Sequence, residues 1–134
     1  MSEFLLDTTI FVDLFRGVAG VKDYLNTLMK IQCSIISVAE LLQGAVNKKS
    51  QKKIEKFLSN VEILPITSRV GGIMLELVRE YSLSYGLAIP DALIAATALE
   101  EKLTLVTSNV KHFKFIPGLR LNDWAAIKVD FESV

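Results

Sequence analysis

The sequence predicts a three-layer α/β/α domain with a mostly parallel central sheet. Three observations carry this. Short apolar runs of strand length recur along the chain, stretches with helical periodicity separate them, and one late stretch is apolar nearly all round. Brief, continuously apolar strands are those buried on both faces, as parallel strands are. Alternation of such strands with helices is the pattern of a sheet covered by helices on each side.

Glu3 to Leu6 reads as the first strand and ends at Asp7. Ile31 to Ile36 reads as the second, Val61 to Leu64 as the third and Leu103 to Val106 as the fourth. Val38, Leu41, Leu42, Ala45 and Val46 form one apolar stripe, and Val70, Ile73, Met74, Leu77, Val78 and Tyr81 form another, both at helical spacing. Ala92 to Leu99 is apolar on nearly every side, which predicts a central buried helix. Pro90 stands just before it, where proline is tolerated in a helix's opening turn.

The 134 residues suit one compact domain, expected to span 1–134 with its core over about 4–124. The stretch Lys48 to Lys56 reads as the most exposed connection, and Asp130 to Val134 as a loose tail. Hydrophobic residues make up 51% and the mean hydropathy is +0.39, an apolar balance that predicts burial against a second copy or a partner. Fifteen basic residues balance fifteen acidic ones, which disfavours broad, non-specific nucleic-acid binding. It leaves room for a nuclease, because bound metal ions supply positive charge where a scissile phosphate sits. The lone cysteine, Cys33, forms no internal disulfide or zinc site and reads as a core residue. No basic leader and no apolar stretch of about 18 residues is present, so neither a signal peptide nor a membrane span is expected. The expectation is a reduced cytoplasmic protein.

In parallel sheets ligands bind outside the carboxyl ends of the strands. Three acids are predicted there: Asp7 at the end of the first strand, Glu40 in the first turn of the helix after the second, and Asp91 opening the apolar helix. Each also has a purely structural reading. Asp7 can cap the next helix. Ser37 and Glu40 fit a capping box with Ser37 as N-cap. Asp91 can complement a helix dipole. Taken together, three carboxylates set in dense apolar sequence would be desolvated and mutually repulsive, and a divalent cation resolves that repulsion. All-oxygen ligation suits Mg²⁺ or Mn²⁺ rather than zinc. Such a cluster fits metal-assisted phosphodiester hydrolysis, which needs no nucleophilic side chain. The sequence holds no G-x-S-x-G elbow, no cysteine–histidine pairing signal and no phosphate-binding glycine loop.

Four segments in order carry a resemblance: a first strand ending Asp7-Thr8, the run Ile36-Ser37-Val38-Ala39-Glu40-Leu41-Leu42, the run from Pro90 through Asp91 to Ala98, and the late Leu105-Val106-Thr107-Ser108-Asn109-Val110-Lys111-His112-Phe113. Together they resemble the PIN-domain family, in its VapC toxin branch, over about Phe4 to Trp124. The resemblance implies a PIN-like α/β/α fold, a metal-dependent endoribonuclease acting on RNA, a homodimer, and neutralisation by a cognate antitoxin protein. Asp7, Glu40 and Asp91 match the family's first three acids and are the expected Mg²⁺ or Mn²⁺ ligands. Thr107 and Asn109 match its fourth region, where many members carry an acid instead of Asn109. Asn109 is thus a fourth expected catalytic position that supplies no charge.

Thr8, Thr9 and Thr107 can orient the acids through their hydroxyls or cap local helices. His112, the only histidine, reads as a general acid or as a surface or packing residue. Lys48, Lys49, Lys52, Lys53 and Lys56 would share one helical face, either touching RNA phosphates or simply solvated. Arg16 and Lys111 are candidate phosphate contacts. A PIN nuclease of RNA processing without an antitoxin and a non-catalytic binding module on the same fold remain alternatives, the latter because of Asn109.

Overall fold

The computed structural model describes residues 3–132. In chain order the elements are β1 (Phe4–Leu6), α1 (Thr8–Phe15), α2 (Val21–Asn26), β2 (Gln32–Ser34), α3 (Ile35–Gln43), α4 (Lys48–Leu58), β3 (Glu62–Leu64), α5 (Ser68–Tyr85), α6 (Ile89–Glu101), β4 (Thr104–Thr107), a 3₁₀ turn at Val110–His112, β5 (Leu121–Asp123), α7 (Trp124–Ile127) and α8 (Val129–Glu132). β4 lies between β1 and β5, and β2 pairs with β3; every pairing is parallel. The two ladders are linked where the Gln32 side chain donates to the Phe4 carbonyl at 3.0 Å. The α/β/α class with a parallel sheet stands as expected.

Strand alternation builds the layers. Side chains of successive strand residues point to opposite faces. Leu5 and its register partner Leu105 join the core under α5 and α6, with Val70, Leu77 and Phe113. Leu6 and its partner Val106 join the opposite core, with Ile10 and Phe11 of α1, Leu41 of α3, Ile54 of α4 and Trp124. Residues 92–98 of α6 are all buried, as its apolar composition requires. The one hydroxyl in that run, Thr97, is satisfied by donating to the Leu93 carbonyl at 2.8 Å. Among the described residues no helix is long and apolar enough to cross a membrane.

Several local expectations change. The second strand is Gln32–Ser34, because the Ser34 side chain accepts from the Ile36 amide and starts α3 three residues earlier than Ser37 would. Ser37 is therefore not the N-cap, and Glu40 lies in the second turn rather than the first. β3 is an edge strand with Glu62 and Ile63 exposed, not a fully buried one. β5 was not expected, since Leu121-Asn122-Asp123 is short and polar. The segment from Asp130 is not a loose tail where it is described. Phe131 packs edge-on to Tyr24 at 5.7 Å, and its backbone lies against Gly20. Residues 133 and 134 lie outside the described residues.

Gly20 has φ +89°, and an added Cβ would meet Phe131 Cβ at 2.8 Å. Gly20→Ala should therefore cost about 1–3 kcal/mol of stability. Urea unfolding measures the loss, and amide exchange should show it first as reduced protection of Val129–Glu132.

Candidate active site

Register brings the site together. β1 and β4 run in parallel with Leu6 opposite Val106, so the next residues, Asp7 and Thr107, adjoin at the carboxyl edge. The Asp7 amide donates to the Val106 carbonyl at 2.9 Å and fixes that edge. Asp7 occupies the N-cap position of α1, yet its side chain makes no capping bond. Its Oδ2 instead accepts from the Thr107 hydroxyl at 2.7 Å and the Thr9 hydroxyl at 3.0 Å. The group is only 3% exposed. Thr107 Oγ1 also accepts from the Asn109 amide at 2.9 Å, which aims its proton at Asp7. Thr9 Oγ1 in turn accepts from the Ser108 amide at 3.2 Å.

Glu40 reaches the same edge from α3. With α3 starting at Ser34, Glu40 cannot reach back to the cap. Its Oε1 accepts from the Thr8 hydroxyl at 2.7 Å, and that hydroxyl lies 2.8 Å from the buried Ser37 hydroxyl. The capping-box reading of Ser37 and Glu40 thus gives way to a bridge from α3 to α1, beside Asp7. Asp91 arrives from the first turn of α6, whose dipole favours a carboxylate there. His112 Nδ1 stands 3.5 Å from Asp91 Oδ2, with the Asp91 side chain 30% exposed.

The electrostatics of Asp91 combine burial with the charges of its neighbours. Burial raises its carboxyl above the usual carboxylate range, and the charges of Asp7 and, more weakly, Glu40 push it further the same way; His112 pulls against them. No lysine or arginine contributes to that balance. Like charges are held together with one weak, half-exposed counterweight. Among the described residues, no three of these side chains close on one point as a ready-made metal shell. The donor set still suits Mg²⁺, which keeps several of its waters and needs only one or two carboxylates directly.

Asn109 sits between Thr107 and the 3₁₀ turn, and its carbonyl accepts from the His112 amide at 2.9 Å. The lysines of α4 are exposed, and Arg16 and Lys111 are exposed as well. Cys33 is wholly buried in the core, and burial pushes its thiol up to about 12, so it carries no chemistry. Away from the acids, α1, α2 and α4 enclose a groove of about 530 Å³ walled by Leu14, Phe15, Leu25 and Phe57, with Lys22 and Lys53 also lining it. Thr8, Thr9 and Thr107 orient the acids as their hydroxyls allowed; Thr9 is a local partner, two residues from Asp7, whereas Thr8 lies 32 positions from Glu40. Thr107 lies 100 positions from the carboxylate it serves, and only the parallel register joins them.

The profile of the PIN domain family matches residues 4–117. Ribonuclease VapC19 of Mycobacterium tuberculosis is 36% identical over 121 residues, covering 87% of this chain and 96% of that protein. Among solved structures, VapBC2 from Rickettsia felis bound to a DNA fragment from its promoter is similar, with TM-score 0.78 and 35% identity over 90% of this chain and 98% of that one. A toxin–antitoxin complex from Klebsiella pneumoniae is similar at TM-score 0.73 and 34% identity, covering 86% of this chain and 93% of that one.

Two outcomes follow from the charge arrangement. Asp91 has a folded-state pKa above its unfolded value, so its ionisation opposes folding, and stability falls as pH rises through that interval. In EDTA, Asp91→Asn should therefore raise the melting temperature at pH 7, and the gain should vanish as pH drops below the ordinary carboxylate range. Thr107→Val removes a donor from a buried carboxylate and should cost about 1–3 kcal/mol, with Thr107→Ser recovering most of it in urea titrations.

Proposed function

Because this chain belongs to the PIN-domain family, in its VapC branch, we propose that it is a divalent-metal-dependent endoribonuclease and the toxin of a toxin–antitoxin pair. The observation that carries this reading is the approach of Asp7, Glu40 and Asp91 from three separate elements at one sheet edge, where the half-exposed His112 beside Asp91 is the one basic group that bears on Asp91. Asp7, Glu40 and Asp91 are the residues that would hold Mg²⁺ or Mn²⁺. When bound, such an ion polarises the phosphoryl oxygens, lowers the pKa of an attacking water and stabilises the leaving oxygen.

The chain's own groups do the rest. Thr107 and Thr9 fix the Asp7 rotamer by donating to one of its oxygens, leaving the other for the site. Thr8 orients Glu40 in the same way, by donating to its Oε1. His112 faces Asp91 and favours its charged form when protonated. Asn109, lacking charge, can offer a carbonyl oxygen to bound water but adds nothing to the site's negative charge. The site therefore carries about −3, enough for one Mg²⁺ and a weak hold on a second.

The groove between α1, α2 and α4 supports an antitoxin partner. An amphipathic segment laid into it would cover Leu14, Phe15, Leu25 and Phe57. Exposed apolar side chains on β3 and α5, including Ile63, Leu75 and the 98% exposed Leu83, support a homodimer.

RNA cleavage by the purified protein should require Mg²⁺ or Mn²⁺ and stop in EDTA. Asp91→Asn should lower it at least 10³-fold by an order-of-magnitude expectation for losing a charged site group, without unfolding the protein. Asn109→Ala should cost less than Asp91→Asn, and Asn109→Asp should tighten Mg²⁺ binding in calorimetry. Full activity in EDTA, or wild-type cleavage by Asp91→Asn, contradicts the reading. Light scattering should give at least a dimer, and Phe57→Asp should abolish antitoxin capture while RNA cleavage persists.

A further inference from the structure

On the segments that lead to Asp91 and follow His112, the chain carries an aromatic group whose outermost ring the proposed chemistry does not use. Tyr85 and Phe115 lie face to face, ring centroids 4.3 Å apart and planes within 3°. Tyr81 braces both, at 5.3 Å from Phe115 and 6.1 Å from Tyr85, in tilted contacts. Tyr81 and Phe115 pack against the core. Tyr85 is the outermost ring and remains 60% exposed. It ends α5, where Gly86, with φ +68°, turns the chain away toward α6. A ring recruited for stability alone would bury its area, and this one leaves most of it in water.

Position gives the ring its meaning. Tyr85 precedes Asp91 by six residues, and Phe115 follows His112 by three, so the Phe115 and His112 α-carbons are at most about 11 Å apart. His112 and Asp91 meet at 3.5 Å. The two segments that carry the stack are thus the two that carry one side of the acidic cluster. Every other aromatic pair among the described residues is tilted or edge-on. Only this one presents a flat ring already backed by a second. Flat, exposed and pre-stacked rings are what an unpaired nucleobase stacks on, and a duplex cannot offer a base in that way.

We propose that Tyr85, backed by Phe115, is a stacking platform for an unpaired nucleobase of the RNA bound at the acidic edge. This rests on the nuclease reading and adds a residue that places the substrate. The Tyr85–Phe115 pair replaces base–base stacking that a strand loses when it enters the site. Its contribution is to binding and placement, so it acts on KM more than on kcat.

The test uses full-length protein carrying Asp91→Asn, which binds without cleaving, and a short fluorescein-labelled oligoadenylate RNA. Adding Tyr85→Ala should weaken binding about tenfold, and Tyr85→Phe should leave it unchanged. A 2-aminopurine placed in the same RNA should be quenched on binding, and the quenching should be lost with Tyr85→Ala. In otherwise wild-type protein, Tyr85→Ala should raise KM with little change in kcat, and fully duplex RNA should be a poor substrate. Equal affinity with Tyr85→Ala, or an equal loss with Tyr85→Phe, overturns the platform while cleavage by the wild type keeps the nuclease reading. A loss of affinity accompanied by a lower light-scattering mass also overturns it, because the ring is then a contact between copies. A wild-type protein that cleaves no RNA with either metal overturns the nuclease reading itself.

Discussion

A carboxylate sealed inside the protein, Asp7, is held there by two threonine hydroxyls, and much of the architecture serves that arrangement. Thr107 can reach Asp7 only because β1 and β4 are parallel and in register at Leu6 and Val106. Thr9 can reach it only because α1 begins immediately after the strand. A buried carboxylate without donors would be lost to protonation or to unfolding. With them its hydrogen bonds are met and its position is fixed at a sheet edge, where parallel sheets place their sites.

The other two acids reveal the same economy of position. α3 is capped at Ser34, so Glu40 is free of capping duty and faces Thr8. α6 sends Asp91 forward from its first turn and buries the following residues beneath the sheet. The fold thereby spends stability on burying Asp91 and placing like charges beside it, and its carboxyl is raised first by that burial and then by Asp7 and Glu40. Clustering of this kind is what functional sites trade against stability. A surface that merely needed acids for solubility would separate them.

Much of this was readable from residue order. Apolar runs and helical stripes located β1, β4, α5 and α6, because burial on both sides leaves little choice of residue at those positions. The three acids stood out because carboxylates are rarely embedded in such sequence. What could not be read was set by geometry at long range. Ser34 and Ser37 are equally good caps in sequence, and only the length of β2 decides between them. β5 is recruited as an edge by pairing with β4, not by its own propensity. The packing of Phe131 on Tyr24 depends on a contact across more than a hundred residues. The pairing of Tyr85 with Phe115 is likewise invisible until α5 and the segment after the 3₁₀ turn are brought side by side.

Family membership places this chain among PIN domains, and its own side chains explain how such a domain is built here: one neutral position, Asn109, three carboxylates, and hydroxyls that steer two of them. The central claim is that these three carboxylates form a divalent-cation site. Anomalous scattering at the manganese edge, from crystals soaked in Mn²⁺, tests it most directly. The account predicts a peak bordered by Asp7, Glu40 and Asp91 that disappears in Asp91→Asn crystals. A saturating soak that leaves this edge empty, or places the ion elsewhere on the chain, would contradict it.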